Sequence, residues 1–345
     1  MAHPAASLPR ATAQAAEIGA EIDPGRFRQV VEGCRPVVIR ALVGGWPVVA
    51  AARRSPGSLR EYLSGFATAE PVEAFLADPA LKGKYYYDAG LQGFNFERRP
   101  MPFMAAVDAI AEAVGKLQAR SVYLGSVPTA SYLPGFAAAH PMPLVPPGTG
   151  PRIWLGTPAN VSSHYDTLDN LACVIAGRRR FTLYAPELVG RLYPGPIDHT
   201  MAGQPVSLAA SAPEEARGSY PLFEQIREQA LVVELQAGDA LYLPKLWWHQ
   251  VESTAAFNGL VNYWWDAWSS GPDAPYTALL LAMITIAERP PAERAAWQAF
   301  FEHYVFRPRG HPLAHLPAAQ HGLLGPLKPH NYAKLRARIM HLLRG

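Results

Sequence analysis

Apolar and polar positions follow three different rhythms along the chain. From about residue 120 to 266, short apolar runs are cut by Gly, Pro, Asn and Asp: "SVYLGS", "RIWLGT", "LACVIAG", "RFTLYAP", "LVVELQAGDALYLP" and "GLVNYWWDAW". Runs of this length bounded by turn residues predict strands. Many short strands without regular intervening helices predict a sandwich or barrel, not a parallel α/β sheet. Ahead of this region the spacing predicts a helix over 24–33, a buried strand in "RPVVIRAL" (35–42), and short strands in "EPVEAFLA" (70–77) and "KYYYDA" (84–89). A helix over 101–116 follows. From 273 onward the pattern turns helical, and a last helix over about 330–343 sets Tyr332, Leu335, Ile339, Leu342 and Leu343 on one face, with Lys334, Arg336 and Arg338 largely off it. Such a face packs on its own domain or on a partner subunit. The expected division is 1–118, an N-terminal α/β segment supporting the core; 119–270, the β core; and 271–345, C-terminal helices with a dimerisation element.

Composition adds bounds. A chain of 345 residues with 49% hydrophobic content can bury a large core. A net charge of +3 is too small and too dispersed to call for nucleic acid or an acidic membrane as partner. The clearest basic run is Arg178-Arg179-Arg180, and a solvated face is its plain reading. Two cysteines, Cys34 and Cys173, fit a reducing compartment. The N-terminus has no continuous apolar stretch of the signal-peptide kind, and "ALLLAMITIA" (278–287) is about half of the roughly 20 residues a membrane span needs. A soluble, cytoplasmic protein without membrane contact is the expectation.

The candidate chemistry starts at "SSHYDTLDN" (162–170). On a strand, His164 and Asp166 share a face while Tyr165 points away, so an imidazole and a carboxylate become neighbours. Two polar residues at a strand end are the structural alternative, since His-x-Asp alone is a weak motif. A third ligand is available in His249, within "GDALYLPKLWWHQV", although a histidine beside tryptophans is often a hydrogen-bonded core residue. Two histidines and one carboxylate form the facial triad of non-haem Fe(II) oxygenases, with metal positions left open. Structural zinc sites are usually closed by four ligands, commonly thiolates, and cysteine is scarce here.

"HYDTLDNLACVIAGRRRFTLYAPE" followed by "GDALYLPKLWWHQV", with "RPVVIRALVGGWP", "KYYYD", "RSVYLGS" and "GLVNYWW" in order, resembles the JmjC and cupin-like 2-oxoglutarate oxygenases. The likeness is strongest to the branch containing the asparaginyl hydroxylase of hypoxia signalling. It covers most of the chain. It implies a mainly β fold with flanking helices, a double-stranded β-helix (jelly-roll) core, Fe(II), 2-oxoglutarate as cosubstrate and O2 as oxidant. Residue by residue, it makes His164, Asp166 and His249 the metal ligands. Tyr123 becomes a hydrogen-bonding partner of the distal cosubstrate carboxylate, Asn170 and Asn262 become amides near its metal-bound end, and Ser162 a further donor. Where the branch usually has a lysine for the distal carboxylate, this chain has Arg179. Strand parity puts Arg179 on one face with Phe181 and Leu183, inside the barrel, where a buried guanidinium needs an anion.

Tryptophans 247, 248, 264 and 265 are expected to wall the site. The segment 191–230 is expected as an insert near its mouth, with Asp198-His199 as a solvated pair or a substrate contact. The implied activity is hydroxylation of a C–H bond, on a protein or peptide side chain, and no reader module of the kind chromatin demethylases carry is recognisable. A free amino acid or small metabolite as substrate is the alternative, and a non-catalytic or non-oxygenase cupin metal-binding protein is the rival from another class. The resemblance also implies a homodimer paired through the C-terminal helices.

Overall fold

A computed structural model describes residues 14–88, 90–116, 119–197, 203–212, 214–269 and 271–344; the Asp198-His199 pair and the first 13 residues lie outside the described residues. The chain forms two compact units, Met1–Trp265 and Asp266–Gly345.

The first unit is built on strands β1 (Ala16–Ile18), β2 (Val37–Ile39), β3 (Pro71–Ala77), β4 (Lys84–Tyr85), β5 (Glu97–Pro102), β6 (Ser121–Pro128), β7 (Arg152–Gly156), β8 (Ala159–His164), β9 (Asp169–Ala176), β10 (Arg178–Tyr184), β11 (Leu231–Gln236), β12 (Ala240–Leu243), β13 (Trp248–Ser253) and β14 (Asn258–Trp265). They form a nine-stranded sheet, β1-β2-β12-β9-β14-β7-β6-β3-β5, and a five-stranded sheet, β11-β10-β13-β8-β4. From β7 to β10 the chain changes sheet at every step, and again from β11 to β14. This winding produces the jelly roll, mainly β with flanking helices. Gly177 turns one of these corners: at φ +71°, a Cβ there would stand 2.5 Å from Asn258 Oδ1 and 2.6 Å from the Phe257 carbonyl, so only glycine fits.

The core lies between the sheets. Ala172, Val174, Leu241, Leu243 and Leu260 from one meet Phe181, Leu183, Val233, Leu235 and Val251 from the other. Every residue of β9 is buried, which explains its unbroken apolar run. The helix Pro47–Arg54, with Val48, Val49 and Ala51 buried, packs on its far side. Helix Phe103–Ala113 buries Phe103, Ala106, Val107 and Ile110 at i, i+3, i+4 and i+7. It begins two residues later than the expected 101, because Met101 and Pro102 complete β5.

The segment before 118 is not set apart from the core. β2 pairs with β12, β3 with β6 and β4 with β8, so the boundary drawn at 118 falls inside one compact unit. The described residues between 186 and 230 include short helical turns, and their Leu192, Phe223 and Ile226 pack on Tyr184 and Trp248, the outward side of β10 and β13. Part of this insert also reaches the end of β8, where Val206 bridges His164.

The second unit contains helices Pro275–Ile286, Pro291–Phe301 and Tyr332–Arg344. Asp273 ties its first helix to its last, accepting from the Tyr332 hydroxyl and pairing with Arg336 at 3.0 Å. Many of its apolar side chains are open to solvent. No helix among the described residues is long and apolar enough to cross a membrane.

Candidate functional site

The site begins with a register. β8 and β13 are antiparallel neighbours, and His164 stands directly opposite His249, ring centroids 4.3 Å apart. On β13 strand alternation sends Trp248 outward and His249 inward, and on β10 it sends Tyr184 outward and Leu183 inward, opposite His249. Asp166 joins them differently from the expectation. β8 ends at His164, so Asp166 is not a strand residue; the segment beyond the strand carries it back, with its carbonyl accepting from the Leu246 amide at 2.8 Å. Its carboxylate is aimed by Trp264, whose Nε1–H donates to Oδ2 at 3.1 Å, and Oδ2 lies 3.8 Å from His249 Nε2. One ligand atom from each of His164, Asp166 and His249 lies within 4.8 Å of the others.

Both imidazoles are set for a metal. His164 Nδ1 faces the Ser162 carbonyl at 2.8 Å and His249 Nδ1 faces the Trp247 carbonyl at 2.9 Å. A carbonyl only accepts, so Nδ1 carries the proton in each ring and the neutral form leaves the Nε2 lone pair free. Burial, reinforced by neighbouring His164 and opposed by Asp166, pushes His249 down to about 4, so this ring is neutral at ordinary pH.

Behind the triad a cavity of about 90 Å³ runs between the sheets. At one end lies Arg179, only 3% exposed, and among the described residues neither its Nε nor its Nη2 has a hydrogen-bond partner. The Tyr123 hydroxyl is beside it and fully buried, and desolvation draws the Arg179 guanidinium below its ordinary value while Tyr123 partly opposes this. A buried cation with unmet donors is costly unless an anion completes it. On the nine-stranded wall, Trp154 Nε1–H donates to Asn262 Oδ1 at 2.6 Å, and Asn262 Nδ2–H donates to Asn170 Oδ1 at 3.1 Å. Asn170, Asn262, Tyr123 and Arg179 all line the cavity together with the triad.

Other expectations are corrected. Ser162 turns away: its Oγ donates to the Tyr85 carbonyl at 2.7 Å, it does not line the cavity, and its contribution is the carbonyl that holds His164. Of the four tryptophans, only Trp264 reaches the cavity. Trp248 faces the insert, Trp265 packs by Phe27 and Tyr242, and Trp247 is in the core with Nε1–H on the Cys34 carbonyl. The missed wall is Trp154 with Phe75, Tyr85 and Phe96.

A jelly roll that gathers two histidines and a carboxylate closely enough to hold a metal ion has the architecture of a cupin-type domain. The chain belongs to the cupin-like domain family, which residues 24–271 match. It is similar to lysine-specific demethylase JMJ31 of Arabidopsis thaliana, 36% identical over 117 residues, which are 34% of this chain and 21% of that protein. It is also similar to Jumonji C domain-containing protein 5 of Drosophila melanogaster, 37% identical over 33% of this chain and 27% of that protein. A third relative is bifunctional peptidase and (3S)-lysyl hydroxylase JMJD7 of Homo sapiens, 34% identical over 33% of this chain and 41% of that protein. The matches thus span less than half the length of these relatives, and they place this chain among cupin-like, JmjC-type domains.

Proposed function

We propose that the protein is an Fe(II)- and 2-oxoglutarate-dependent dioxygenase that hydroxylates a C–H bond of a protein or peptide side chain. The observation that carries this reading is the pairing of two unmet demands in one cavity: an open His-Asp-His triad and a buried guanidinium without an anion. A dicarboxylate that chelates a metal at one end satisfies both. His164, Asp166 and His249 would hold the metal; Arg179 and Tyr123 would bind the distal carboxylate. The names of two relatives, a demethylase and a hydroxylase, support an oxygenase of protein side chains. Tyr123, Asn170 and Asn262 on the cavity wall support kinship with the asparaginyl hydroxylase branch, with Arg179 in place of its usual lysine.

When bound, the metal and cosubstrate supply oxidation of a C–H bond by O2, coupled to decarboxylation of 2-oxoglutarate to succinate and CO2. The chain's own residues orient and exclude. Trp264 holds the Asp166 carboxylate through Oδ2, the oxygen 3.8 Å from His249 Nε2, and so would fix it as a metal ligand. The Trp154–Asn262–Asn170 chain fixes the amides beside the triad, and Phe181, Val251 and Leu260 keep water from the buried end.

Purified protein given Fe(II), ascorbate and 2-oxoglutarate is expected to form succinate slowly even without substrate, and His164→Ala is expected to form none. Equal succinate from both proteins contradicts the reading. A second copy of the chain is the partner we propose for the helical unit, supported by Ile284, Phe306 and Leu342, which are 82%, 71% and 68% exposed.

A further inference from the structure

The rim of the cavity carries a cation whose partners are all neutral. Arg152 opens β7 and stands opposite Asn262 in the ladder with β14, while Trp154, two residues on, shares its face of the strand. Asn262 and Trp154 both line the cavity, so Arg152 belongs to the same wall, just beyond the lining residues. Its guanidinium lies 5.9 Å from the ring centre of Trp264, the tryptophan that holds Asp166. It is therefore separated from the triad by one indole.

Arg152 is held in place. Its Nε donates to the Ser126 Oγ at 2.6 Å and to the Ser126 carbonyl at 3.1 Å, and its Nη2 donates to the same carbonyl at 2.8 Å. Ser126 can receive both because β6 bulges against β7 between Leu124 and Val127, putting Ser126 at φ +55°. The left-handed region is disfavoured for a non-glycine residue, so this clamp is maintained against a backbone preference. The clamp occupies the Nε/Nη2 side of the fork. The end-on Nη1/Nη2 edge, the geometry that meets a carboxylate with two parallel N–H bonds, is left over. Among the described residues Arg152 makes no ion pair, whereas its rim counterpart Arg98, which lies against Phe75 and Phe96, has Glu73 at 3.6 Å.

The cavity itself is the second observation. Among the described residues its single carboxylate is Asp166, a candidate metal ligand, and its walls include Phe75, Tyr85, Phe96 and Trp154. An ammonium group entering past Arg152 meets like charge and finds no free acid in a water-poor site. An uncharged side chain meets aromatic faces.

We propose that Arg152 is the specificity-determining residue of the site, binding a carboxylate of the substrate that neighbours an uncharged reacting side chain. The site thereby selects acidic substrates and rejects a cationic reacting residue such as lysine. This rests on the hydroxylase reading above and names its substrate class.

The test uses full-length protein loaded with Mn(II) and N-oxalylglycine, an unreactive 2-oxoglutarate mimic. Dye-labelled capped peptides with a central Asn, Leu or Lys, flanked by Asp, Ala or Lys, are titrated by fluorescence anisotropy. Asp-flanked peptides with an uncharged centre are expected to bind about tenfold or more tightly than Lys-flanked ones, with the gap narrowing at high salt. Arg152→Gln is expected to abolish the gap, Arg152→Lys to restore part of it, and 2-oxoglutarate affinity to stay within about twofold of wild type. Absence of charge preference in any peptide, a preference unchanged in Arg152→Gln, or stronger binding of Lys-centred peptides overturns the proposal. So does a large loss of 2-oxoglutarate affinity in Arg152→Gln, which would assign Arg152 to the cosubstrate. Should Arg152→Gln melt well below wild type, Arg152→Lys and the salt series decide. Failure of the hydroxylase reading is distinct: wild-type protein then shows no metal-dependent 2-oxoglutarate binding.

Discussion

Two side chains, Arg179 and Trp264, each carry a separate part of the site's chemistry, and each can be removed on its own. Arg179 is buried with two donors unmet. Arg179→Gln keeps a polar side chain and loses the charge, so cosubstrate affinity is expected to fall by about thirtyfold or more, roughly 2 kcal/mol. Arg179→Lys keeps the charge without the planar fork and is expected to retain affinity within about tenfold. Trp264 acts through Asp166: Trp264→Phe removes the Nε1–H that holds Oδ2 and is expected to weaken metal binding by about tenfold, read by Mn(II) titration. An unchanged metal affinity would show that Asp166 is positioned by its backbone alone. At this scale the site was largely readable in the sequence, because residue types at ligand spacing carry their chemistry with them and β10 obeys strand parity through Arg179, Phe181 and Leu183. Ser162 was misplaced because parity says which face of β8 a residue takes, not that Tyr85 from a distant strand arrives to accept its hydroxyl.

Strands decide which of two adjacent residues becomes functional. "WWHQV" sets two tryptophans expected as site walls beside a histidine expected as a ligand, and the register Tyr184↔Trp248, Leu183↔His249 sends Trp248 and His249 to opposite faces. Trp248 is a structural residue under the insert. Trp248→Ala is therefore expected to cost about 3–5 kcal/mol of stability in denaturant unfolding while leaving the metal affinity of the folded protein near wild type. A loss of metal affinity at unchanged stability would reverse these roles. The elements that escaped sequence reading share a physical feature. β5, "ERRPMP", is a polar, proline-bearing edge strand, and β1 is a three-residue edge; neither needs an apolar pattern, because an edge strand has one free side. β8 was legible only at its histidine, since "ANVSSH" buries serines whose partners come from β4 and the insert.

At the scale of the whole molecule, the two compact units have different characters. Met1–Trp265 buries its apolar side chains between two sheets, while Asp266–Gly345 leaves those of its three helices largely open. The early strands could not be assigned to the core from sequence, because β2 beside β12 and β3 beside β6 are pairings of distant segments that no local pattern records. Deletion of residues 328–345 is expected to halve the mass measured by light scattering, and a single mass before and after removes the second copy as partner.

The central claim is that one dicarboxylate bridges the triad and Arg179. Calorimetric titration of 2-oxoglutarate into Mn(II)-loaded protein tests it without substrate or turnover. The expected result is one site per chain that disappears without metal and in His164→Ala, and weakens about thirtyfold or more in Arg179→Gln. Binding that ignores the metal, or that Arg179→Gln leaves undiminished, contradicts the claim.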